Sequence, residues 1–315
     1  MRLYRHESDL PADAHGAVVT LGNFDGVHLG HQAVIAEAAK IARATGKPLA
    51  VLTFEPHTKA FFRPDAPPFR LTPLRTKLHA LETLGVDQVI ALAFDKPFSQ
   101  LSAEDFAGKV LAQGMKISHA VAGGDFRYGH KHAGTMDSLM QAGAAHGFGV
   151  TRVDPVSAGD GTVYSATAIR QFIAGGDMRG AASLLGRPWE IDGHVIGGDR
   201  RGRELGFPTA NLKLGEYLRP AFGIYAVRAR LDRPGAAWVD GVANLGIRPM
   251  WRTEEQMLET HLFDFSDDIY GQVLRVRLIE HLRPEAKFDS IEALVAQVDR
   301  DKIAAREALL ASPEI

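Results

Sequence analysis

A short apolar run, Ala17–Leu21, leads directly into Gly22-Asn23-Phe24-Asp25-Gly26-Val27-His28-Leu29-Gly30-His31, and a helical pattern begins at the second histidine. This strand–loop–helix unit restricts the fold more than any other stretch. A buried strand followed at once by a helix calls for a crossover to a parallel neighbour, and hence for a sheet covered on its faces by helices. The loop also has chemistry of its own. The first amides of a helix have no internal partners and carry the positive end of its dipole, so an anion is favoured there by up to about 2 kcal/mol. Gly22, Gly26 and Gly30 let backbone come close to a phosphate without a Cβ in the way. His28 and His31 share a helix face and can both donate to one phosphate group. A plain surface pair, or half of a metal site, is the competing reading, but neither needs the glycines.

The same rhythm continues. Ala17–Leu21, Leu49–Phe54, Val89–Phe94, His119–Ala122 and Phe148–Val153 read as short buried parallel strands. His31–Thr45 places Val34, Ala38, Ile41 and Ala42 on one stripe before Gly46-Lys47-Pro48, and Ser102-Ala-Glu-Asp105 is a capping box that opens a helix to Gln113. Repeated βα units predict a Rossmann-like, doubly wound sheet with its ligands at the carboxyl ends of the strands. Neither G-x-G-x-x-G nor G-x-x-x-x-G-K-[ST] occurs, so the dinucleotide fingerprint and the P-loop do not apply. Helices Ala168–Ala174 and Asp177–Leu185 follow, each ending in glycine. Past Pro188 the helices stop. Trp189–Ile196, Gly223–Arg230, Ala237–Val242, Glu259–Phe263 and Val273–Leu282 read as strands joined by turns, and a final helix spans Ser290–Leu310. That pattern predicts a small antiparallel barrel with a C-terminal helix, and domains at 1–186 and 187–315.

Composition narrows the class. A formal charge of −2 gives no excess for gripping a long phosphate backbone, the chain has no cysteine for disulfides or thiolate metal sites, and no run approaches the ~20 apolar residues of a membrane span. We expect a cytoplasmic protein whose partners are small molecules, neither nucleic acid nor membrane; homo-oligomerisation is left open.

The second half has its own glycine-rich stretch, Gly197 to Gly206, with four glycines and three arginines, followed by Phe207-Pro208-Thr209-Ala210-Asn211. It reads either as a wrap for a polyphosphate or as a basic hairpin loop before an edge strand. In an extended backbone Thr209 and Asn211 share a face, and their oxygens suit a Mg²⁺ shell completed by nucleotide phosphates and water. Glu259 alternates with apolar residues in Leu258-Glu259-Thr260-His261-Leu262. A carboxylate there can serve as base to an alcohol attacking phosphorus, but period two alone does not fix its face.

Several separated stretches occur in a specific order: Gly22–His31, Thr53-Phe-Glu-Pro-His57, Gly124-Asp-Phe-Arg-Tyr-Gly129, Ser165-Ala-Thr-Ala-Ile-Arg170, Gly206-Phe-Pro-Thr-Ala-Asn211, Gly223-Ile-Tyr-Ala-Val227, Val242–Pro249, Leu258–His261 and Leu282–Ser290. On these the chain resembles, over nearly its whole length, the bacterial bifunctional riboflavin kinase/FMN adenylyltransferases, or FAD synthetases. H-x-G-H alone marks only a broad nucleotidyltransferase class; its combination with the Pro-Thr-Ala-Asn barrel is specific.

The resemblance implies two ATP-dependent reactions with Mg²⁺: phosphorylation of riboflavin to FMN by the barrel, and adenylyl transfer to FMN by the first domain, giving FAD and pyrophosphate. His28 and His31, with Gly22, Asn23, Phe24 and Gly30, would hold ATP, and Ser165, Thr167 and Arg170 the departing pyrophosphate. Pro56, His57, Asp125 and Phe126 are candidates for the flavin. In the barrel, Glu259 would be the base, Thr209 and Asn211 the metal ligands, Gly197 and Arg203 nucleotide contacts, and Arg283 a flavin contact. Asn244 and Arg248 are read equally well as barrel-loop structure and receive no role.

Three positions depart from the family's usual pattern. Ala166 replaces a second serine, which implies weakened adenylyl transfer. Thr58 replaces a proline after Pro56-His57, and Ile247 replaces a threonine. Met250–Met257 is expected to be a loop, without the glycines common there. Two other readings compete: an adenylyltransferase whose barrel only binds flavin for regulation, and an RNA-binding barrel. The second calls for a basic, aromatic-studded surface, whereas here the arginines gather in one glycine loop.

Overall fold

The computed structural model describes residues 1–156, 164–197, 207–250 and 253–312, and among these the side chains of 247–250 and 253–255 fall outside the description. The chain folds as two compact units. One comprises Met1–Pro67 and Lys77–Tyr164; the other comprises Pro68–Thr76 and Ser165–Ile315.

The first unit is built on six parallel strands in the order β1-β4-β3-β2-β5-β6: Arg2–Tyr4, Val18–Leu21, Leu49–Glu55, Gln88–Ala93, His119–Gly123 and Gly149–Val153 for β1 to β6. Five of them match the expected strands within two residues at each end. β1 is an addition, too short and too exposed to stand out as a buried strand in the sequence. Alternation sorts the strand residues onto two faces. Val18, Val51, Val89 and Val121 pack with Ile35, Ala38 and Ala42 of α1 (Leu29–Thr45). Val19, Leu52, Ile90 and Ala120 pack on the other face with Phe106, Leu111, Met136 and Leu139. The sheet is thus doubly wound.

The helix predicted from Ser102 is present but changes pitch. Ser102 caps Ala103–Asp105 by accepting from the Asp105 amide at 2.9 Å, after which the turns widen over Phe106–Gly114, closing with Met115 N–H to the Val110 carbonyl at 2.8 Å.

The second unit is a nearly closed antiparallel barrel of six strands in the order β7-β12-β9-β10-β11-β8. These are Trp189–His194, Ala210–Lys213, Gly223–Leu231, Val239–Met250, Thr253–Leu262 and Val273–Arg283 for β7 to β12. Between the edges β7 and β8 there is one bridge, two residues past the end of β7, where the Ile196 amide donates to the Asn211 carbonyl at 3.0 Å. Large side chains fill the inside, among them Trp189, Leu212, Val227, Leu245, Leu258 and Val276. The C-terminal helix, Ile291–Leu310, is capped by Ser290 and packs Ala305, Ala308 and Leu309 on Ala226 and Val242 of the barrel's outer face. Ala166–Ala174 and Met178–Leu185 also belong to this unit.

Two expectations are corrected here. The strands expected over Ala237–Val242 and Glu259–Phe263 are the outer parts of β10 and β11, and the stretch expected to be a loop, Met250–Met257, is largely strand, paired from Met250↔Thr253 to Gly246↔Met257. Polar residues at Thr253, Glu254, Glu255 and Gln256 conceal the strand pattern, because the ladder does not depend on side-chain polarity.

Candidate functional sites

In the first unit three segments leave the carboxyl ends of adjacent strands. The loop 22–28 follows β2, Pro56-His57 follows β3, and Gly124–Phe126 follows β5. The chain runs outward from β2 through β3 to β4 on one side and through β5 to β6 on the other, so the switch in strand order lies between β2 and β5, where open α/β sheets take their ligands.

The loop is tightly wound. Phe24 (φ +48°) and Val27 (φ +45°) hold left-handed backbone around Gly26 (φ +86°), a conformation that a β-branched residue rarely adopts. His28 is buried and caps α1, its Nδ1 accepting from the His31 amide at 3.4 Å. The two imidazoles stack with centroids 3.6 Å apart, and Phe24 meets the His31 ring edge-on at 5.1 Å. A Cβ on Gly30 would stand 3.1 Å from the His28 ring, so only glycine leaves that ring in place.

Below the loop lies a residue without an assigned role from the sequence. Lys77, wholly buried, donates to the Asn23 carbonyl at 2.8 Å and to Thr53 Oγ1 at 3.0 Å, with Glu55 at 3.7 Å. A signal for it existed: Lys77 occupies the apolar stripe of Leu74–Glu82, three residues after Leu74 and four before Leu81. Thr58, the departure from proline, takes up an interaction of its own, its Oγ1 accepting from Asn23 Nδ2 at 3.2 Å.

The flavin candidates are unequal. His57 is buried and caps Thr58–Phe62 through Nδ1, accepting from the Lys59 amide at 3.1 Å, while Pro56 is exposed. Asp125 is exposed, and Phe126 stacks on Tyr128 at 5.7 Å. Aromatic contacts continue from Tyr128 through Phe106, Phe98 and Phe94 to Phe54 and Phe61, a wall that the sequence reading did not assemble.

Ser165, Thr167 and Arg170 lie in the second unit. Ser165 caps Ala166–Ala174, accepting from the Ala168 amide at 3.2 Å, and Thr167 is exposed. Arg170 donates from Nε to the Phe69 carbonyl at 2.9 Å and lies 5.5 Å from the Phe69 ring.

The barrel's candidates come together in one line across the sheet. Asn211 of β8 faces Glu259 of β11, Glu259 faces Asn244 of β10, Asn244 faces Ile224 of β9, and Ile224 faces Arg283 of β12. This register decides what period two left open. All five line a groove of about 990 Å³ between the barrel and the C-terminal helix, with Thr209 at its rim. Leu294 and Val298 of that helix form the facing wall.

The side-chain oxygens of Asn211 and Asn244 are both buried without a hydrogen-bond partner among the described residues. Arg283 is held by Asp301 in a two-pronged pair, 2.8 and 2.6 Å, which Gln297 braces at 2.8 Å. Behind Thr209, His261 Nδ1 lies 2.9 Å from the Pro208 carbonyl, and burial lowers the pKa of this imidazole. Gly197 is exposed at the end of a described segment; Arg203 and the other residues of the glycine–arginine stretch up to Gly206 lie outside the described residues. No group of three His, Asp or Glu is placed to hold a metal among the described residues, and no described helix is long and apolar enough to cross a membrane.

A parallel sheet with a glycine–histidine loop at its switch point, joined to a barrel with a carboxylate set in a deep groove, defines a nucleotide-dependent transferase with two separate centres. The FAD synthetase family profile matches residues 10–167 and the riboflavin kinase profile residues 185–309. The bifunctional riboflavin kinase/FMN adenylyltransferase of Escherichia coli K12 is 40% identical over 308 residues, 98% of this chain and 97% of that protein. The enzyme of the same name from Bacillus subtilis 168 is 40% identical over 293 residues, 91% of this chain and 90% of its own length. The chain belongs to the family of bifunctional riboflavin kinase/FMN adenylyltransferases. A crystal structure from Streptococcus pneumoniae described as a macrolide-efflux protein has the same fold at a TM-score of 0.83 and 32% identity, covering 96% of this chain and 98% of that one.

Proposed function

We propose that this chain makes FAD in two steps, phosphorylating riboflavin with ATP in the barrel groove and then transferring AMP from a second ATP to FMN at the sheet. The observation that carries the reading is the row Asn211–Glu259–Asn244, which sets one carboxylate between two amides in a groove large enough for a flavin.

In the first step the terminal hydroxyl of riboflavin attacks the γ-phosphorus of ATP. The O–P bond forms, the proton passes to the Glu259 carboxylate, and ADP departs. The buried, unmet oxygen of Asn211 and the neighbouring Thr209 fit a hard cation. These two residues would hold Mg²⁺ together with the nucleotide's phosphates, and when bound it would neutralise charge that develops on the β- and γ-oxygens. Gly197 and Arg203 are assigned to the nucleotide. The Arg283–Asp301 pair fixes the wall against which the flavin rests.

In the second step a phosphate oxygen of FMN attacks the α-phosphorus and pyrophosphate leaves. FMN is already ionised, so no base is needed and catalysis consists of placement and charge stabilisation. His28 and His31, with Gly22, Asn23, Phe24 and Gly30, take the ATP phosphates; the stacked rings and the Lys77 ammonium beneath the loop support that role. Ser165, Thr167 and Arg170 are assigned to the pyrophosphate, and Pro56, His57, Asp125 and Phe126 to the flavin.

Incubation with riboflavin, ATP and Mg²⁺, followed by chromatography, tests both assignments: FMN appears first and FAD after it. A chain that makes FAD from supplied FMN but no FMN from riboflavin would be an adenylyltransferase with a flavin-sensing barrel instead.

A further inference from the structure

We propose that Asn244 reads the secondary hydroxyls of the acceptor's side chain and thereby selects which alcohols the barrel phosphorylates. The inference rests on the kinase reading of the groove. Asn244 lies directly across from Glu259 on one side and from Ile224 on the other. Its side-chain oxygen is buried and has no hydrogen-bond partner among the described residues. Buried polar atoms are almost always paired, so an acceptor left unmet in a ligand groove is an acceptor for the ligand. Besides Glu259, the neighbours that share its face are apolar, Val242 two residues back on β10 and Ile224 across from it, and neither can donate to that oxygen.

The row also gives the groove a direction. Asn211, on the other flank of Glu259, stands beside Thr209 and follows the glycine–arginine stretch in the chain, the end suited to phosphates. Past Asn244 the row continues to Ile224 and then to Arg283, and the lining also carries the apolar Phe288, Leu294 and Val298, surfaces suited to an aromatic ring system. Cross-strand neighbours are about 5 Å apart. An acceptor with its ring among the apolar residues and its terminal hydroxyl at Glu259 must therefore draw its side chain past Asn244. A polyhydroxylated chain brings hydrogen-bond donors to that oxygen; a plain alkyl chain brings none.

The test compares riboflavin with a 7,8-dimethylisoalloxazine that carries a 5-hydroxypentyl chain at N10, which keeps the ring and the terminal alcohol but lacks the secondary hydroxyls. The full-length protein with MgATP should prefer riboflavin about tenfold or more in kcat/KM. Asn244→Ala should lower kcat/KM for riboflavin about tenfold, mainly through KM, and leave the analogue within twofold, so that the preference collapses. Asn244→Leu, closer in volume, repeats the measurement without opening a cavity, and adenylyl transfer from supplied FMN reports that each variant is folded. Parallel losses on both flavins, or an unchanged preference, would overturn the assignment. A wild-type chain that phosphorylates both flavins equally also overturns it, while one that phosphorylates neither overturns the kinase reading beneath it.

Discussion

Replacing Gly30 with alanine adds a single methyl group at a crowded point in the first turn of α1, just after the glycine–histidine loop. That methyl would lie 3.1 Å from both Cε1 and Nδ1 of His28 and 3.4 Å from Cβ of Tyr164. Carbon atoms in favourable contact are about 3.5–4.0 Å apart, so the imidazole must retreat by roughly half an ångström. It has little freedom to do so, because its Nδ1 already reaches the His31 amide at the long distance of 3.4 Å and its face lies on the His31 ring at 3.6 Å. The shift therefore breaks the cap and turns both rings. Losing a cap costs about 1 kcal/mol, and alanine in place of glycine within a helix returns about the same, so the fold should stay as stable as before. Catalysis has no such offset. Misplacing a positioned group by 1 Å can cost about 10²-fold, so we expect adenylyl transfer to fall about tenfold to a hundredfold. The assay follows FAD and pyrophosphate from supplied FMN and ATP, with riboflavin phosphorylation by the same sample as the control that stays constant. Transfer within twofold of wild type, with an unchanged melting curve, would refute the idea that the placement of His28 limits the reaction.

Three further outcomes are expected. Glu259→Gln should reduce FMN formation by at least about 10²-fold while FAD formation from supplied FMN is retained, and His31→Ala should do the reverse, both measured by chromatography of the flavins. Asp301→Ala deprives the partly buried Arg283 of both its hydrogen bonds to carboxylate; denaturant titration should show a loss of about 1–3 kcal/mol, with a raised KM for riboflavin as the helix wall loosens. Burial lowers the pKa of His119 below its ordinary 6.5. The unfolded chain then binds more protons in that range, so the contribution of His119 is complete above about pH 6.5 and lost as pH falls through the folded-state value. Melting temperatures at pH 7.5 and 5.5 should differ less in His119→Gln than in wild type.

How far the fold could be read follows from what each segment's partners are. Five buried strands of the first sheet were legible because a parallel strand covered on both faces is apolar throughout. The first strand, exposed and three residues long, gave no such signal. The first half of β11 was hidden because a hairpin pairs through backbone and tolerates the polar run Thr253–Gln256. Around the candidate sites, Lys77 interrupts an apolar stripe and could have been noticed; Asn244 received no role, because asparagine suits a turn as well as a groove.

The order of the motifs determined the family, the two nucleotide-using centres and the residue types each reaction requires, since glycine loops, helix starts and carboxylates state their chemistry locally. Tertiary structure alone decided which of these residues meet. Glu259 joins Asn211, Asn244, Ile224 and Arg283 only because five strands, drawn from residues scattered between 210 and 283, pair in one particular register. A slip of one residue would turn every one of those side chains to the opposite face, and nothing within a single strand specifies the alignment.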